Sequence, residues 1–169
     1  STTSTIYQNG TSIGTVTTGA VVPRFGEGFM NSDSYIFFTD SSYGAWFVSA
    51  TSIPGGTFTG DTHTNTTIDN ISSMTGLAVG QLITGTNIAA NTRIATLNVA
   101  GSSLTTTIAT TGTTAGVTIT RECISKIIDA DFPGIVSGTM VELDGYAFVA
   151  SNFGLNNRIA QSALNDPSS

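Results

Sequence analysis

Short apolar runs separated by polar turn signals dominate the first third of the chain, a pattern of paired strands. The run Tyr35–Thr39 is followed by a polar, glycine-containing stretch at 40–44 and then by a second apolar run, Ala45–Ser49. Two aromatic-rich runs around such a loop predict a β-hairpin. Aromatic side chains at alternating strand positions usually face a core, so we expect Tyr35 and Trp46 to be packing residues.

A different pattern fills residues 55–121, where Phe58 is the single aromatic residue and threonine is frequent. Short runs bounded by Gly, Asn and Thr recur at intervals of roughly 10 to 15 residues, the spacing of a small β-sandwich or barrel. The predicted strands are Thr67–Ile71, Gln81–Thr84, Thr92–Leu97, Ser103–Ile108 and Gly116–Thr120.

Aromatic and acidic residues return in the last segment, 122–169, which again has the pattern of hairpins. Asp144-Gly145 is the strongest two-residue hairpin signal in the chain, because this dipeptide accepts the positive φ values of a tight β-turn. Asp131-Phe132-Pro133-Gly134 has the composition of a turn. The predicted strands are Ile124–Ile128, Thr139–Leu143, Tyr146–Ala150 and Arg158–Ala163.

The first and last segments resemble each other, and this similarity indicates a repeat. Tyr146 opens an aromatic run 111 positions after Tyr35 opens another, and removal of the 67 residues of 55–121 leaves a period of 44. Several short strands repeating every 40 to 50 residues are typical of β-propeller blades. We therefore predict an all-β chain of partial propeller blades, 1–54 and 122–169, interrupted by an inserted small β-sandwich or barrel domain, 55–121.

Composition and charge exclude several classes of protein. With 30 Thr, 19 Ser and only 9% charged residues, the chain favours strands over helices and an all-α fold is excluded. The net charge of −6 argues against a binder of duplex nucleic acid, which needs cations for the phosphates. Few charges also favour a surface that packs against other subunits. The chain opens on Ser1 and holds fewer than two blades, so we expect a fragment of a longer polypeptide.

The last segment resembles the tail-hub, or nozzle, proteins of short-tailed bacteriophages, also called packaged-DNA-stabilisation or tail-accessory proteins. Residues 124–134 and 141–149 are similar to a K-I-x-D-x-D-F-P-G … L-D-G-Y-F-V string that joins two blades in that family. Residues 157–167 are similar to the segment that follows. The resemblance implies a structural signature formed by Tyr35, Trp46, Asp131, Phe132, Pro133, Gly134, Asp144, Gly145 and Tyr146.

The middle segment resembles a T-G-L-x-V-G module that is common in phage structural proteins and bacterial surface proteins. Residues 73–94 carry this similarity. Asn87 and Asn91 stand where the module has glycine, and Asn is the residue after glycine that best adopts positive φ. The module indicates a virion or cell-surface protein without specifying which component.

Candidate chemistry is sparse, and we predict no catalytic, metal or cofactor site. His63 lies in a polar stretch without a second His or Cys to complete a metal set, so we expect an exposed loop residue. Cys123 has no partner for an intrachain disulfide and is expected to be a buried small hydrophobe. A channel-facing contact with DNA would fall to one of the scattered basic residues Arg24, Arg93, Arg121, Lys126 and Arg158.

These observations predict a non-enzymatic structural protein of a phage virion. The resemblance implies a homo-oligomeric ring, expected to be a hexamer, that lies below the portal in the tail, contacts other tail and portal proteins, and helps to retain and channel packaged DNA. The alternative is a surface adhesin or carbohydrate-binding β-module, in which the Thr- and Asn-rich loops of 55–121 would form the contact surface.

Overall fold

The computed structural model describes residues 2–18, 24–30, 33–40, 44–49, 55–129, 136–153 and 156–162. The predicted all-β class is confirmed: the described residues form antiparallel strands and no helix, hence none that could span a membrane. The strands are β1 Thr2–Gln8, β2 Thr11–Thr18, β3 Arg24–Met30, β4 Asp33–Asp40, β5 Gly44–Ser49, β6 Gly56–His63, β7 Thr67–Asp69, β8 Gln81–Gly85, β9 Ile94–Asn98, β10 Ser103–Thr106, β11 Thr113–Lys126, β12 Val136–Leu143, β13 Tyr146–Phe153 and β14 Asn156–Gln161.

The chain divides into two compact units. Unit 1 comprises Ser1–Ser52 and Lys126–Ser169, and unit 2 comprises Ile53–Ser125. Unit 2 is therefore continuous in sequence, while unit 1 is assembled from the segments on both sides of it.

Unit 1 contains the consecutive antiparallel strands β3–β4–β5, the three-stranded antiparallel sheet β12–β13–β14 and the separate hairpin β1–β2. The predicted hairpin over 35–49 is confirmed, with Tyr35 opposite Ser49 and Phe38 opposite Trp46. Strand β12 lies against β3 and β4, so the two sheets face each other. The core between them consists of Phe37, Ala45, Phe47, Ile127, Met140, Ala147 and Val149.

Glycine is required at position 28, where β3 packs against β12. A Cβ atom added to Gly28 would lie 2.4 Å from Cβ of Glu142, far inside the contact distance of two carbon atoms. The turn between β12 and β13 has the predicted conformation, with φ of 53° at Asp144 and 83° at Gly145. Positive φ at both central residues is the requirement of a type I′ turn.

Unit 2 is a curled sheet in the order β11–β6–β7–β10–β9, with β8 on the other edge of β11. Strands β8 and β9 meet through the isolated bridge between Leu82 and Arg93 and flanking backbone hydrogen bonds, such as Ile83 N–H to Thr92 O at 3.0 Å. This connection is not a regular ladder, and the described residues form no closed barrel. The core residues are Phe58, Ile68, Ile71, Leu77, Ile83, Ile94, Leu104, Val117 and Ile119.

Several strands differ from the sequence prediction. Strands β1, β2, β3 and β6 were not predicted, because Thr and Ser outnumber the apolar residues in β1 and β2, and glycine interrupts the apolar pattern of β3 and β6. The predicted strand Gly116–Thr120 and the first three residues of the predicted strand Ile124–Ile128 belong to the single 14-residue strand β11, which ends at Lys126. The polar residues in the middle of β11 suggested a break between two strands, but Arg121 is buried, with 6% of its surface exposed, and the strand continues through it.

Candidate functional site

A broad apolar surface lies on the outer side of the sheet β12–β13–β14. Successive strand residues alternate between the faces, so Met140 points into the core and Val141 points out. The antiparallel register places Val141 opposite Phe148, and Leu143 opposite Tyr146. We call this surface the C-terminal apolar face; it consists of Val141, Leu143, Tyr146, Phe148 and Ile159.

The aliphatic side chains of the C-terminal apolar face are strongly exposed to solvent. Val141, Leu143 and Ile159 keep 52%, 62% and 77% of their surface accessible, and the rings of Tyr146 and Phe148 lie 6.4 Å apart. Scattered exposed hydrophobic residues are normal, but a contiguous apolar sheet face is typical of an interaction surface.

A second apolar surface lies on the outer side of β3 and β4. Phe25 and Phe29 are 58% and 60% exposed, and Ile36 is 45% exposed. The Phe25 ring packs edge-on against Phe38, with centroids 5.2 Å apart, which holds its orientation. We call Phe25, Phe29 and Ile36 the N-terminal apolar face.

Unit 2 presents a different surface. One row of side chains crosses the outer face of its five-stranded region, and every member is polar. The row runs Thr113, His63, Thr67, Thr105 and Thr96. The hydroxyls of Thr96 and Thr105 hydrogen bond to each other at 2.7 Å. Among the described residues, most of the exposed large hydrophobic side chains lie on unit 1.

A cleft of about 480 Å³ adjoins the N-terminal apolar face. Glu27, Ile36 and Val48 lie side by side on β3, β4 and β5, because Glu27 pairs with Ile36 and Ile36 pairs with Val48. The remaining lining residues are Gln8, Gly28, Phe29, Ser34, Tyr35, Ser49 and Glu142.

The Glu142 carboxylate at the cleft is fixed by backbone donors. Its Oε1 accepts a hydrogen bond from Gly145 N–H at 2.7 Å, and its Oε2 accepts a longer one from Phe29 N–H at 3.4 Å. Nearby, the Ser49 hydroxyl donates a short hydrogen bond to Asp33. These contacts give Glu142 a structural role at the joint between the two sheets.

The signature residues within the described chain are dispersed rather than gathered into one site. Tyr35 is half-buried and packs near Phe37 and Phe47, with ring centroids 6.2 and 6.1 Å away. Asp144 and Gly145 form the β12–β13 turn, and Tyr146 lies on the C-terminal apolar face. Asp131, Phe132, Pro133 and Gly134 lie outside the described residues.

Trp46 is a core residue, as predicted, with 2% of its surface exposed. The ammonium of Lys126 lies 5.6 Å from the centre of its ring, within the range of a cation–π interaction. Within the described part of the chain, the buried indole Nε1–H has no hydrogen-bond acceptor. Packing therefore fixes Trp46, and none of the described residues accepts a hydrogen bond from its Nε1–H.

The prediction for His63 was wrong. His63 is the last residue of β6 rather than a loop residue, and its Nε2 lies 2.8 Å from Oδ1 of Asp69 on the neighbouring strand. Asp61, directly opposite Asp69, accepts hydrogen bonds from Asn70 at 2.8 Å and from Gly116 N–H at 2.7 Å. Polar partners thus separate two carboxylates that would otherwise repel each other across the strands.

The basic residues of unit 2 are not available for an extended contact. Arg93 donates a hydrogen bond to the Gly80 carbonyl at 2.8 Å, and burial lowers the pKa of its guanidinium. Burial also lowers the pKa of Arg121. Cys123 is buried, as predicted, at 2% exposure. Groups of three or more His, Cys, Asp or Glu side chains that could hold a metal ion are absent from the described residues.

A scan against protein-family models found no match, and searches of curated proteins and of solved structures found none either. The candidate site is therefore defined by the geometry of unit 1 alone.

Proposed function

We propose that the chain is a non-enzymatic structural component of a bacteriophage virion, a part of a tail hub or nozzle that assembles into a ring below the portal and helps to retain and channel packaged DNA. The observation that carries this proposal is the C-terminal apolar face. A three-stranded sheet with one face against a core and the other face apolar and exposed needs a second protein surface to cover it.

The exposed fractions of the apolar side chains give the free energy that burial in one subunit interface would supply. Complete burial of an aliphatic side chain contributes about 1.5–3 kcal/mol, so covering the exposed parts of Val141, Leu143 and Ile159 supplies roughly 3–6 kcal/mol. Association of two proteins costs an estimated 4–15 kcal/mol. A single interface is thus marginal, whereas closure of a ring adds one further interface without the cost of binding another subunit.

The division of the chain supports the propeller part of the proposal. Unit 2 is continuous, whereas unit 1 combines segments from both sides of it, which is the arrangement expected when a small β-domain interrupts a repeated blade. Each segment of unit 1 contributes three consecutive antiparallel strands, β3–β4–β5 and β12–β13–β14. These are the segments between which the sequence has a period of 44 residues.

Light scattering coupled to gel filtration, followed by electron microscopy of the full chain, tests the proposal. We expect ring-shaped particles with rotational symmetry, which Leu143→Asp dissociates because the charge would be buried in every joint. Val99→Asp is the matched control, since Val99 is an aliphatic residue of unit 2 that is 68% exposed and lies outside the apolar faces. A wild type that stays monomeric, or a Leu143→Asp variant that still forms rings, would contradict the proposal.

The alternative of a carbohydrate-binding module rests on the polar row across unit 2. Sugar-binding faces usually add aromatic stacking to hydrogen bonding, and the one aromatic residue at 55–121, Phe58, is buried at 5% exposure. The structural proposal is therefore preferred. Glycan binding by the full chain that is lost in Thr105→Val and retained in Leu143→Asp would favour the alternative.

A further inference from the structure

We propose that the C-terminal apolar face of one copy of the chain packs against the N-terminal apolar face of the next copy, so that each subunit uses two different surfaces. This pairing rests on the proposed function and deepens it, because it names the surface that covers each apolar face. Three features of unit 1 support it: the positions of the two faces, the side chains that they expose and the packing of the core between them.

The two apolar faces lie on opposite sides of the core of unit 1. Strand β12 packs against β3 and β4, and Phe37 and Met140 belong to the same core cluster between these strands. Because successive strand residues point to opposite sides, the adjacent residues Ile36 and Val141 point away from this core in opposite directions. A subunit with two such faces can be covered by two neighbours, as a ring requires, whereas one self-complementary face closes with two copies.

The core of unit 1 shows which kinds of surface pack together in this chain. Strands β4 and β5 contribute the aromatic rings of Phe37 and Phe47, whereas β12 and β13 contribute the smaller or unbranched side chains of Met140, Ala147 and Val149. The outward faces repeat this contrast, because aromatic rings are the most exposed side chains of the N-terminal apolar face and aliphatic groups are the most exposed ones of the C-terminal apolar face. Pairing of the two unlike faces therefore continues the packing seen in the core.

The open part of the N-terminal apolar face is a strip that a small sheet can cover. The neighbouring outward residues Phe38 and Val48 are buried, at 3% and 4% exposure, so a partner has only Phe25, Phe29 and Ile36 to cover. A three-stranded sheet, with strands about 4.8 Å apart, is wide enough to do so. Exposed aromatic anchors of this kind commonly supply most of the binding energy of an interface.

Charge disfavours the pairing of two N-terminal apolar faces with each other. Glu27 is exposed and lies between Phe25 and Phe29 on the outward side of β3. Two copies joined through this face would bring two Glu27 carboxylates together, and like charges across an interface repel. The C-terminal apolar face contains no charged residue, and Tyr146 and the exposed Gln161 beside it carry a hydroxyl and an amide that can donate hydrogen bonds to a carboxylate.

Cross-linking of single-cysteine variants of the full chain tests which faces meet. Glu27→Cys marks the N-terminal apolar face and Gln161→Cys marks the C-terminal apolar face, and neither change removes an apolar residue. The native Cys123 is buried and should not react. The ¹⁵N-labelled Gln161→Cys chain and the unlabelled Glu27→Cys chain are mixed in dilute solution, concentrated and treated with a short bis-maleimide. Intact mass spectrometry should show dimers of one labelled and one unlabelled chain as the main product, above the background given by Val99→Cys.

Second substitutions in the Gln161→Cys chain separate docking from chance encounters. Leu143→Asp should reduce the mixed dimer to the background, and Val99→Asp should leave its yield unchanged. Labelled dimers of Gln161→Cys as the main product would mean that the C-terminal apolar face pairs with itself, which would overturn the inference. Wild-type rings without mixed cross-links would also overturn it and leave the proposed function standing, whereas a monomeric wild type would contradict both.

Discussion

Replacement of Trp46 tests how unit 1 is held together, because the residue is buried and its Nε1–H has no acceptor among the described residues. Trp46 is the sole tryptophan, lies opposite Phe38 in the β4–β5 ladder and is 2% exposed. We expect Trp46→Ala to destabilise unit 1 strongly. We expect Trp46→Phe to be tolerated, because phenylalanine keeps an aromatic ring and removes the indole N–H.

The magnitudes follow from three contributions. Truncation of a buried Trp to Ala costs about 3–5 kcal/mol through lost burial and a cavity. Loss of the cation–π contact with Lys126 adds about 1 kcal/mol. Removal of the unsatisfied Nε1–H returns about 1–3 kcal/mol, the cost of a buried donor without an acceptor. The net expected cost is roughly 1–5 kcal/mol for Trp46→Ala and below about 1 kcal/mol for Trp46→Phe.

Urea denaturation followed by far-ultraviolet circular dichroism measures both variants, since they lack the fluorescence of Trp46. Phe29→Ala is the control: it also removes an aromatic ring from the same sheet, but from a position that is 60% exposed, and should cost much less. If Trp46→Phe is as damaging as Trp46→Ala, the indole N–H is making a favourable interaction and the reasoning fails. If Trp46→Ala is harmless, Trp46 is not a core residue.

Two further predictions concern unit 2. Hydrogen bonds from Asn70 and then Gly116, together with the charge of His63, lower the pKa of Asp61 below its ordinary value near 3.8. The contribution of Asp61 to stability is therefore present above that value and is lost as the pH falls through the lower pKa of the folded state. Unfolding midpoints measured at decreasing pH should show this loss of stability, and the Asp61→Asn variant should show a smaller pH dependence. Asn87 adopts a φ of 64° and donates hydrogen bonds to Thr62 and Thr114 at 3.2 and 3.0 Å, so Asn87→Ala should cost about 1–3 kcal/mol for the lost bonds plus about 1 kcal/mol of backbone strain. In thermal unfolding, Asn87→Gly should lose only the stability that comes from the hydrogen bonds, because glycine adopts the positive φ without strain. Equal losses of stability in Asn87→Ala and Asn87→Gly would refute the assignment of about 1 kcal/mol to backbone strain.

The sequence predicted those parts of the fold that depend on local chemistry. The aromatic hairpin at 35–49 was visible because two apolar runs flank a polar loop, and the β12–β13 turn was visible because Asp-Gly suits positive φ. Asn87 and Asn91 have φ of 64° and 63°, as their replacement of glycine in the module suggested. In the same module, Gly76 and Gly80 also have positive φ, and Gln81 holds the turn through hydrogen bonds with Gly76 and Ala78.

Other elements depend on tertiary contacts that no local pattern reveals. Strand β6 has Phe58 as its single large apolar residue, and its inward side is completed by Gly60 and Thr62. Gly60 is a packing residue in spite of its size, because a Cβ there would lie 2.8 Å from Cγ2 of Ile68. Arg121 interrupts the apolar pattern of β11, yet the fold buries it. Gly60 and Arg121 therefore suggested that β6 and β11 were interrupted at these positions, whereas both strands continue through them.

The C-terminal apolar face could have been recognised in the sequence from apolar residues at outward strand positions, a feature that is not needed to predict the hairpin. In Met140–Leu143 and again in Tyr146–Val149, apolar residues occupy outward as well as inward positions. A strand that is apolar on both sides is typical of a sheet covered on both faces. The structure supplies one cover, because β12 lies against β3 and β4, and it leaves Leu143 and Ile159 exposed on the other side. The sequence pattern thus predicts that both faces of β12–β13 are covered, whereas the described residues cover one face, and this difference is the physical basis of the proposed subunit interface.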